Sequence, residues 1–150
     1  QIRLYLYIQA VRYDNRLEYS IYMPDELSEC KIMKLLIQPM VENTIIHVVE
    51  KKKGNYRLEI NAIKNDKGDV DIYIKDNGQG IPEKKLLEIN EELEKTEDLY
   101  TNVDGKNGYH IGIKNVHYRL RQNYGSQYGL TIFSEQNVGT TIVIHIPFIR

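Results

Sequence analysis

Apolar positions along the chain change period several times, and each change marks an element. Ile2, Tyr5, Ile8 and Val11, with Arg12 beside them, recur at helical spacing and predict an amphipathic helix over residues 2–13. Leu17, Tyr19, Ile21 and Met23 then alternate with Glu18, Ser20 and Tyr22, the period of a half-buried strand closed by Pro24-Asp25. Helical spacing returns from Ile32 to about Lys52 and stops at Lys51-Lys52-Lys53-Gly54, a basic run and a glycine suited to a helix C-terminus. Pro39 lies inside this stretch, so the main helix either starts there or kinks there. Leu58, Ile60, Ala62 and Ile63 predict a strand, residues 65–68 a turn, and Val70, Ile72 and Ile74 a second strand of the same hairpin, running into Asp76.

A glycine-containing loop follows at 76–80, then Pro82 at a first helical position and a helix to about Lys95. Residues 96–108 show no period and read as a loop. Residues 111–124 predict a helix with Ile113, Val116, His117 and Leu120 on one face. Leu130 and Ile132, then Val143, Ile144 and Ile146, form two last strands around a turn at 136–139, closed by Pro147. Hairpins, rather than strict strand–helix–strand alternation, predict an α+β two-layer sandwich, a mixed and mostly antiparallel sheet with helices on one face.

Composition narrows the picture. A length of 150 residues suits one domain, so 1–150 is expected to be a single unit. Lys+Arg 20 against Asp+Glu 21 leaves no electrostatic footprint for nucleic acid. The lone Cys30 excludes an internal disulfide and a cysteine-based metal site, and fits a reducing, intracellular compartment. Apolar stretches are interrupted by Gln38, Glu42 and Asn43, short of the roughly 18–20 residues that span a bilayer. The chain opens at Gln1 inside helical pattern with no signal peptide, and is expected to be a fragment of a longer protein.

Four segments have the residues for chemistry. In Gln38-Pro39-Met40-Val41-Glu42-Asn43-Thr44-Ile45-Ile46-His47, helical spacing puts Asn43, Ile46, His47 and Glu50 on one face. Asn43 and one His are too few for zinc, and a packed helix surface explains them equally well. In the second segment a strand delivers Asp76 to its end, and Asn77-Gly78-Gln79-Gly80-Ile81-Pro82 lets backbone approach a ligand; an ordinary turn fits the same residues. In the third, Gly108 and Gly112 flank Tyr109-His110-Ile111 at the start of a helix whose free N–H groups can hold phosphate oxygens. Neither the dinucleotide fingerprint nor a P-loop is present there. The fourth, Val138-Gly139-Thr140-Thr141, reads alone as a hairpin turn.

Together, in order and spacing, these segments resemble the boxes of the GHKL ATPase superfamily, specifically the ATP-binding catalytic domain of sensor histidine kinases of the LytS/YesM type. The resemblance covers essentially all 150 residues. It implies the Bergerat fold, ATP and Mg²⁺ as cofactors, and a kinase activity. By residue it implies that Asp76 reads the adenine amine, with Thr140 supporting it through water, and that Gly78, Gly80 and Ile81 shape the base pocket. It implies that Asn43 is the catalytic residue that holds Mg²⁺, that His47 lies near the phosphates, and that Gly108, His110, Gly112 and Ile113 surround them. Residues 96–110 would be the ATP lid. Two positions depart from the family pattern: Ile46 stands where Lys or Arg is usual, and His110 where the middle glycine of the second box is usual.

The function so implied is to bind Mg-ATP and donate the γ-phosphoryl group to a histidine in a dimerisation and phosphoacceptor region, with a response regulator as the indirect partner. The parent would be a membrane-anchored homodimer and this domain its cytoplasmic part. The alternative is a degenerate nucleotide-binding or interaction module, marked by Ile46 and His110. A self-contained hydrolase is disfavoured, because Pro39 stands where a water-activating Glu would sit one turn before Asn43.

Overall fold

A computed structural model describes residues 1–34, 36–49, 54–95 and 108–150, without the side chains of 47–49 and 108–111. Along the chain these form α1 (Ile2–Arg12), β1 (Leu17–Tyr22), a 3₁₀ turn (Asp25–Leu27), α2 (Ile37–Val49), β2 (Tyr56–Lys64), β3 (Val70–Asp76), α3 (Glu83–Glu94), α4 (Gly108–Tyr124), β4 (Gly129–Glu135) and β5 (Gly139–Ile146). The predicted order of helices and strands is the observed one.

The strands make one sheet in the order β1-β2-β3-β5-β4. β1 runs parallel to β2, and the other three pairings are antiparallel. Alternation decides which face is covered. Leu58, Ile60 and Ala62 on β2, Val70, Ile72 and Ile74 on β3, and Ile142, Ile144 and Ile146 on β5 are all buried. They form one core with Met40, Val41 and Ile45 of α2, Ile89 and Leu93 of α3, and Ile113, Val116 and Leu120 of α4. The helices therefore occupy one side, and residues at the intervening strand positions face away from them. Among the described residues no helix is long and apolar enough to cross a membrane.

Three local expectations shift. On α1 the packed residues are Ile2, Tyr5, Leu6 and Ala10, whereas Ile8 and Val11 are exposed along with Leu4 and Tyr7. Apolar residues lie on both sides of this helix, so spacing alone does not choose the buried stripe. The second helix begins at Ile37 rather than Ile32 or Pro39, and Pro39 sits in its first turn without breaking it. First-turn N–H groups have no partner within a helix, so the missing donor costs nothing there. Residues 50–53, part of the same predicted helix, lie outside the described residues. Pro82 is the N-cap of α3 rather than its first residue, and its carbonyl accepts the Leu86 N–H at 3.0 Å.

Candidate functional site

The edge of the site nearest the sheet starts from Asp76, the last residue of β3. It pairs with Leu58 on one side and Thr140 on the other, and is 8% exposed. The Gly78 N–H donates to its Oδ1 at 2.7 Å, which folds the following loop back over the carboxylate. Burial pushes the Asp76 carboxyl up to about 6, opposed by the backbone donors of Gly78 and Thr140. Asp76 is thus a desolvated anion at neutral pH, an acceptor with one of its oxygens already engaged.

The loop 77–80 is fastened to the hairpin between β4 and β5. Asn77 Oδ1 accepts the Arg57 N–H at 2.7 Å, and the Asn137 N–H donates to the Gln79 carbonyl at 2.6 Å. Gly80 has φ +66, and a Cβ there would lie 2.0 Å from the Glu135 carbonyl oxygen. Gly139 approaches the Asp76 carbonyl just as closely. Glycine is required at both places for want of space as well as for backbone conformation.

Ser134 is a member of this site that the sequence reasoning missed. Its Oγ accepts the Ile81 N–H at 2.8 Å, donates to the Gly139 carbonyl at 2.9 Å, and lies 2.9 Å from the Thr140 hydroxyl. With its single proton on Gly139, Ser134 accepts the Thr140 proton, so Thr140 keeps acceptor capacity beside Asp76. The signal was available: Leu130, Ile132 and Ser134 share the inward face of β4, and a hydroxyl on an apolar face needs partners.

The helical side is built by α2 and α4. Asn43 lies half-buried on α2, which packs over β3 and against α4. Its amide reaches Gly112 so closely that a Cβ on Gly112 would stand 2.6 Å from Nδ2. Two segments read separately from sequence are therefore one contact. Gly108, His110 and Gly112 all belong to α4, which starts at Gly108, three residues before the predicted 111. Glycine reads as a helix breaker in sequence, yet at 112 it is what admits Asn43. Ile113 is fully buried, and Ile81 is partly buried against the core. The side chains of His47 and His110 and the predicted lid at 96–107 lie outside the described residues. Ile46 is 45% exposed on α2.

The structure thus brings Asp76, Gly78, Gly80, Ile81 and Thr140 together at one end of the sheet, and Asn43 and Gly112 together where α2 meets α4. The chemistry available is a buried carboxylate acceptor, a side-chain amide oxygen, and the free N–H groups at the start of a seventeen-residue helix, which attract anions. An amide oxygen completed by phosphate oxygens and water suits Mg²⁺, which rarely uses an all-protein cage. Among the described residues no group of three or more His, Cys, Asp or Glu side chains could hold a metal.

Comparison with known proteins identifies the family and the fold. The profile of the histidine kinase-, DNA gyrase B-, and HSP90-like ATPase family matches residues 31–150. The chain is 35% identical over 146 residues to the sensor histidine kinase YesM of Bacillus subtilis, covering 97% of this chain and 22% of that protein. It is 29% identical over 150 residues to the sensor histidine kinase/phosphatase LytS of Staphylococcus aureus, covering 24% of that protein. The chain therefore spans about a quarter or less of the length of these two relatives. The fold is shared with the catalytic domain of histidine kinase ThkA, at TM-score 0.64, 14% identity, and 97% and 88% coverage of the two chains. It is shared likewise with the mycobacterial sensor histidine kinase MprB, at TM-score 0.63, 18% identity, and 98% and 91% coverage.

Proposed function

Since the chain belongs to the histidine kinase-, DNA gyrase B-, and HSP90-like ATPase family, as an ATP-binding domain of the sensor histidine kinase type, we propose that it binds Mg-ATP and donates the γ-phosphoryl group to a histidine. That histidine would lie in a dimerisation and phosphoacceptor region of a longer, membrane-anchored homodimeric parent, which then passes the group to a response regulator. In this proposal residues 1–150 act as one catalytic unit.

The observation that carries the proposal is the buried Asp76 paired with Thr140 at the end of β3, and the contact of Asn43 with Gly112 between α2 and α4 supports it. Asp76, ionised at neutral pH, accepts a hydrogen bond from the adenine amine, and Thr140 offers its remaining lone pairs to a water between them. Gly78, Gly80 and Ile81 form the wall of the base pocket. Asn43 would hold Mg²⁺ through its amide oxygen, and the bound ion would neutralise phosphate charge. The free first-turn N–H groups of α4, from Gly108 onward, receive the phosphates, with Gly112 leaving room for Asn43 and Ile113 anchoring that turn in the core. His47 and His110 supply imidazoles on the same two helices. Phosphoryl transfer asks little covalent chemistry of the protein; positioning and charge neutralisation are what these groups provide.

A second reading, a nucleotide-binding module with weakened transfer, draws on Ile46, an exposed isoleucine where a cation would otherwise face phosphate. One experiment separates the two. The chain is mixed with γ-labelled ATP, Mg²⁺ and a separately prepared phosphoacceptor segment of the parent, while ATP binding is followed calorimetrically. Acid-labile label on histidine, lost in Asn43→Ala, is the expected result. Tight ATP binding with no transfer would favour the second reading. Absence of ATP binding would refute both.

A further inference from the structure

The face of the sheet turned away from the helices holds a depression of about 510 Å³, lined by Arg57, Glu59, Lys75, Phe133, Glu135 and Thr141 among others. That volume lies in the range of small-molecule sites. It is separate from the site above: Asn43 and Gly112 approach the covered face, whereas the side chains of Glu59, Lys75, Thr141 and Phe133 occupy the alternate positions that face away. Asp76, Asn77, Ser134, Gly139 and Thr140 also line it, so the two sites adjoin across the end of the sheet.

Register makes the floor of this depression a single row. Glu59 pairs with Lys75, Lys75 with Thr141, and Thr141 with Phe133. Four strands at a spacing of about 4.8 Å give it a length of roughly 14 Å. At one end Phe133 and Val138 are 60% and 59% exposed, apolar surface that the fold leaves wet. One strand in from the other end, where Glu59 stands, the Lys75 ammonium makes no ion pair among the described residues, and Arg57 leans toward Glu18 at 3.7 Å. Glu59, directly opposite Lys75, and Glu135 also line the depression, so an anionic group there has to contact Lys75 and stay clear of both carboxylates.

We propose that this depression binds a planar aromatic monoanion, a carboxylate or sulfonate, with its ring on Phe133 and Val138, its anion on Lys75, and the Thr141 hydroxyl donating to it. This assignment does not depend on the nucleotide reading of the opposite face.

The test uses 8-anilinonaphthalene-1-sulfonate, a planar aromatic monoanion that fluoresces when desolvated, titrated into the chain with saturating Mg-ATP present. Saturable single-site binding is expected. Phe133→Ala and Lys75→Ala should each weaken it about tenfold, and Lys75→Arg should retain it. All three variants change the open face, so the melting temperature serves as the control for folding. Amide shifts in a ¹⁵N spectrum should cluster at Lys75, Thr141 and Phe133. Displacement of the probe by ATP, equal binding by wild type and both alanine variants, or shifts elsewhere would overturn the proposal.

Discussion

Replacing Asp76 by Asn should strengthen the fold and weaken the binding site. In the folded chain the Asp76 carboxyl titrates at about 6 instead of 3.8, because burial disfavours its charge more than the N–H donors of Gly78 and Thr140 favour it. A shift of that size corresponds to a penalty of ~3 kcal/mol for holding the charge above pH 6. The sign follows from proton binding: the folded state holds the proton more tightly than the unfolded state. The carboxyl's favourable contribution is thus complete below pH 3.8 and lost as pH rises through 6. The introduced asparagine is uncharged at every pH, and its oxygen can still accept the Gly78 N–H. Ligand-free Asp76→Asn should therefore be more stable than wild type by ~1–3 kcal/mol at pH 8, and the gain should shrink as pH falls toward 4.5. Urea titrations of both proteins at several pH values measure this, and subtraction cancels every other titrating group. The same change presents an N–H₂ donor where the adenine amine needs an acceptor, so ATP affinity at pH 8 should fall by about 1–3 kcal/mol. A variant less stable than wild type at pH 8, or a stability difference independent of pH, would refute the account of the buried charge. Unchanged ATP affinity would show that Asp76 does not read the base.

Gly112→Ala should leave the fold intact or stabilise α4 by up to about 1 kcal/mol, yet displace the Asn43 amide, 2.6 Å from the new methyl. ATP affinity in Mg²⁺ should fall about tenfold while adenosine binding holds, and calorimetry with both ligands reads the split. Gly80→Ala, with φ +66 and a Cβ 2.0 Å from the Glu135 carbonyl, should cost at least ~2 kcal/mol in denaturant unfolding. A change under about 0.5 kcal/mol would mean that the loop is not clamped on the hairpin. His117 is buried on α4, its Nδ1 accepts the Leu130 N–H at 3.0 Å, and burial together with Arg121 lowers its proton affinity. Its contribution is present above pH 6.5 and lost on acidification, so the stability gap between wild type and His117→Asn should narrow from pH 7 to pH 5. A gap that stays constant would place no titration at this residue.

Element types and order were legible because nearly every strand alternates cleanly and α4 carries Ile113, Val116, His117 and Leu120 on one stripe, all buried. Boundaries were less so. Pro39 read as a helix start or a kink, but a proline in a first turn loses no hydrogen bond, and α4 begins at Gly108 rather than at the predicted 111. On α1, Leu4, Tyr7, Ile8 and Val11 form an apolar stripe as regular as the packed one, and only tertiary contact distinguishes them. At the site, Asp76 and the glycines were visible as a strand-end carboxylate with a permissive loop. The Asn43–Gly112 contact and the network centred on Ser134 depend on helix packing and register, which local pattern does not encode.

The position of β5 has a consequence for how the chain comes to be made. It is the last strand in sequence but lies fourth across the sheet, between β3 and β4. During synthesis from the N-terminus, the β2–β3 hairpin can close early, but Asp76 waits for Thr140, on the order of seconds at ordinary elongation rates. Until then β3 presents an open edge of Val70, Ile72 and Ile74 backbone, the exposure that invites pairing with another chain. Insertion of β5 seals that edge and brings Gly139 and Thr140 to Asp76 in the same event. A chain cut short of β5 would be left with a three-stranded sheet and an unpaired β4 rather than one sheet lacking an edge, so the emerging polypeptide gains its binding end and its protection from misassembly together.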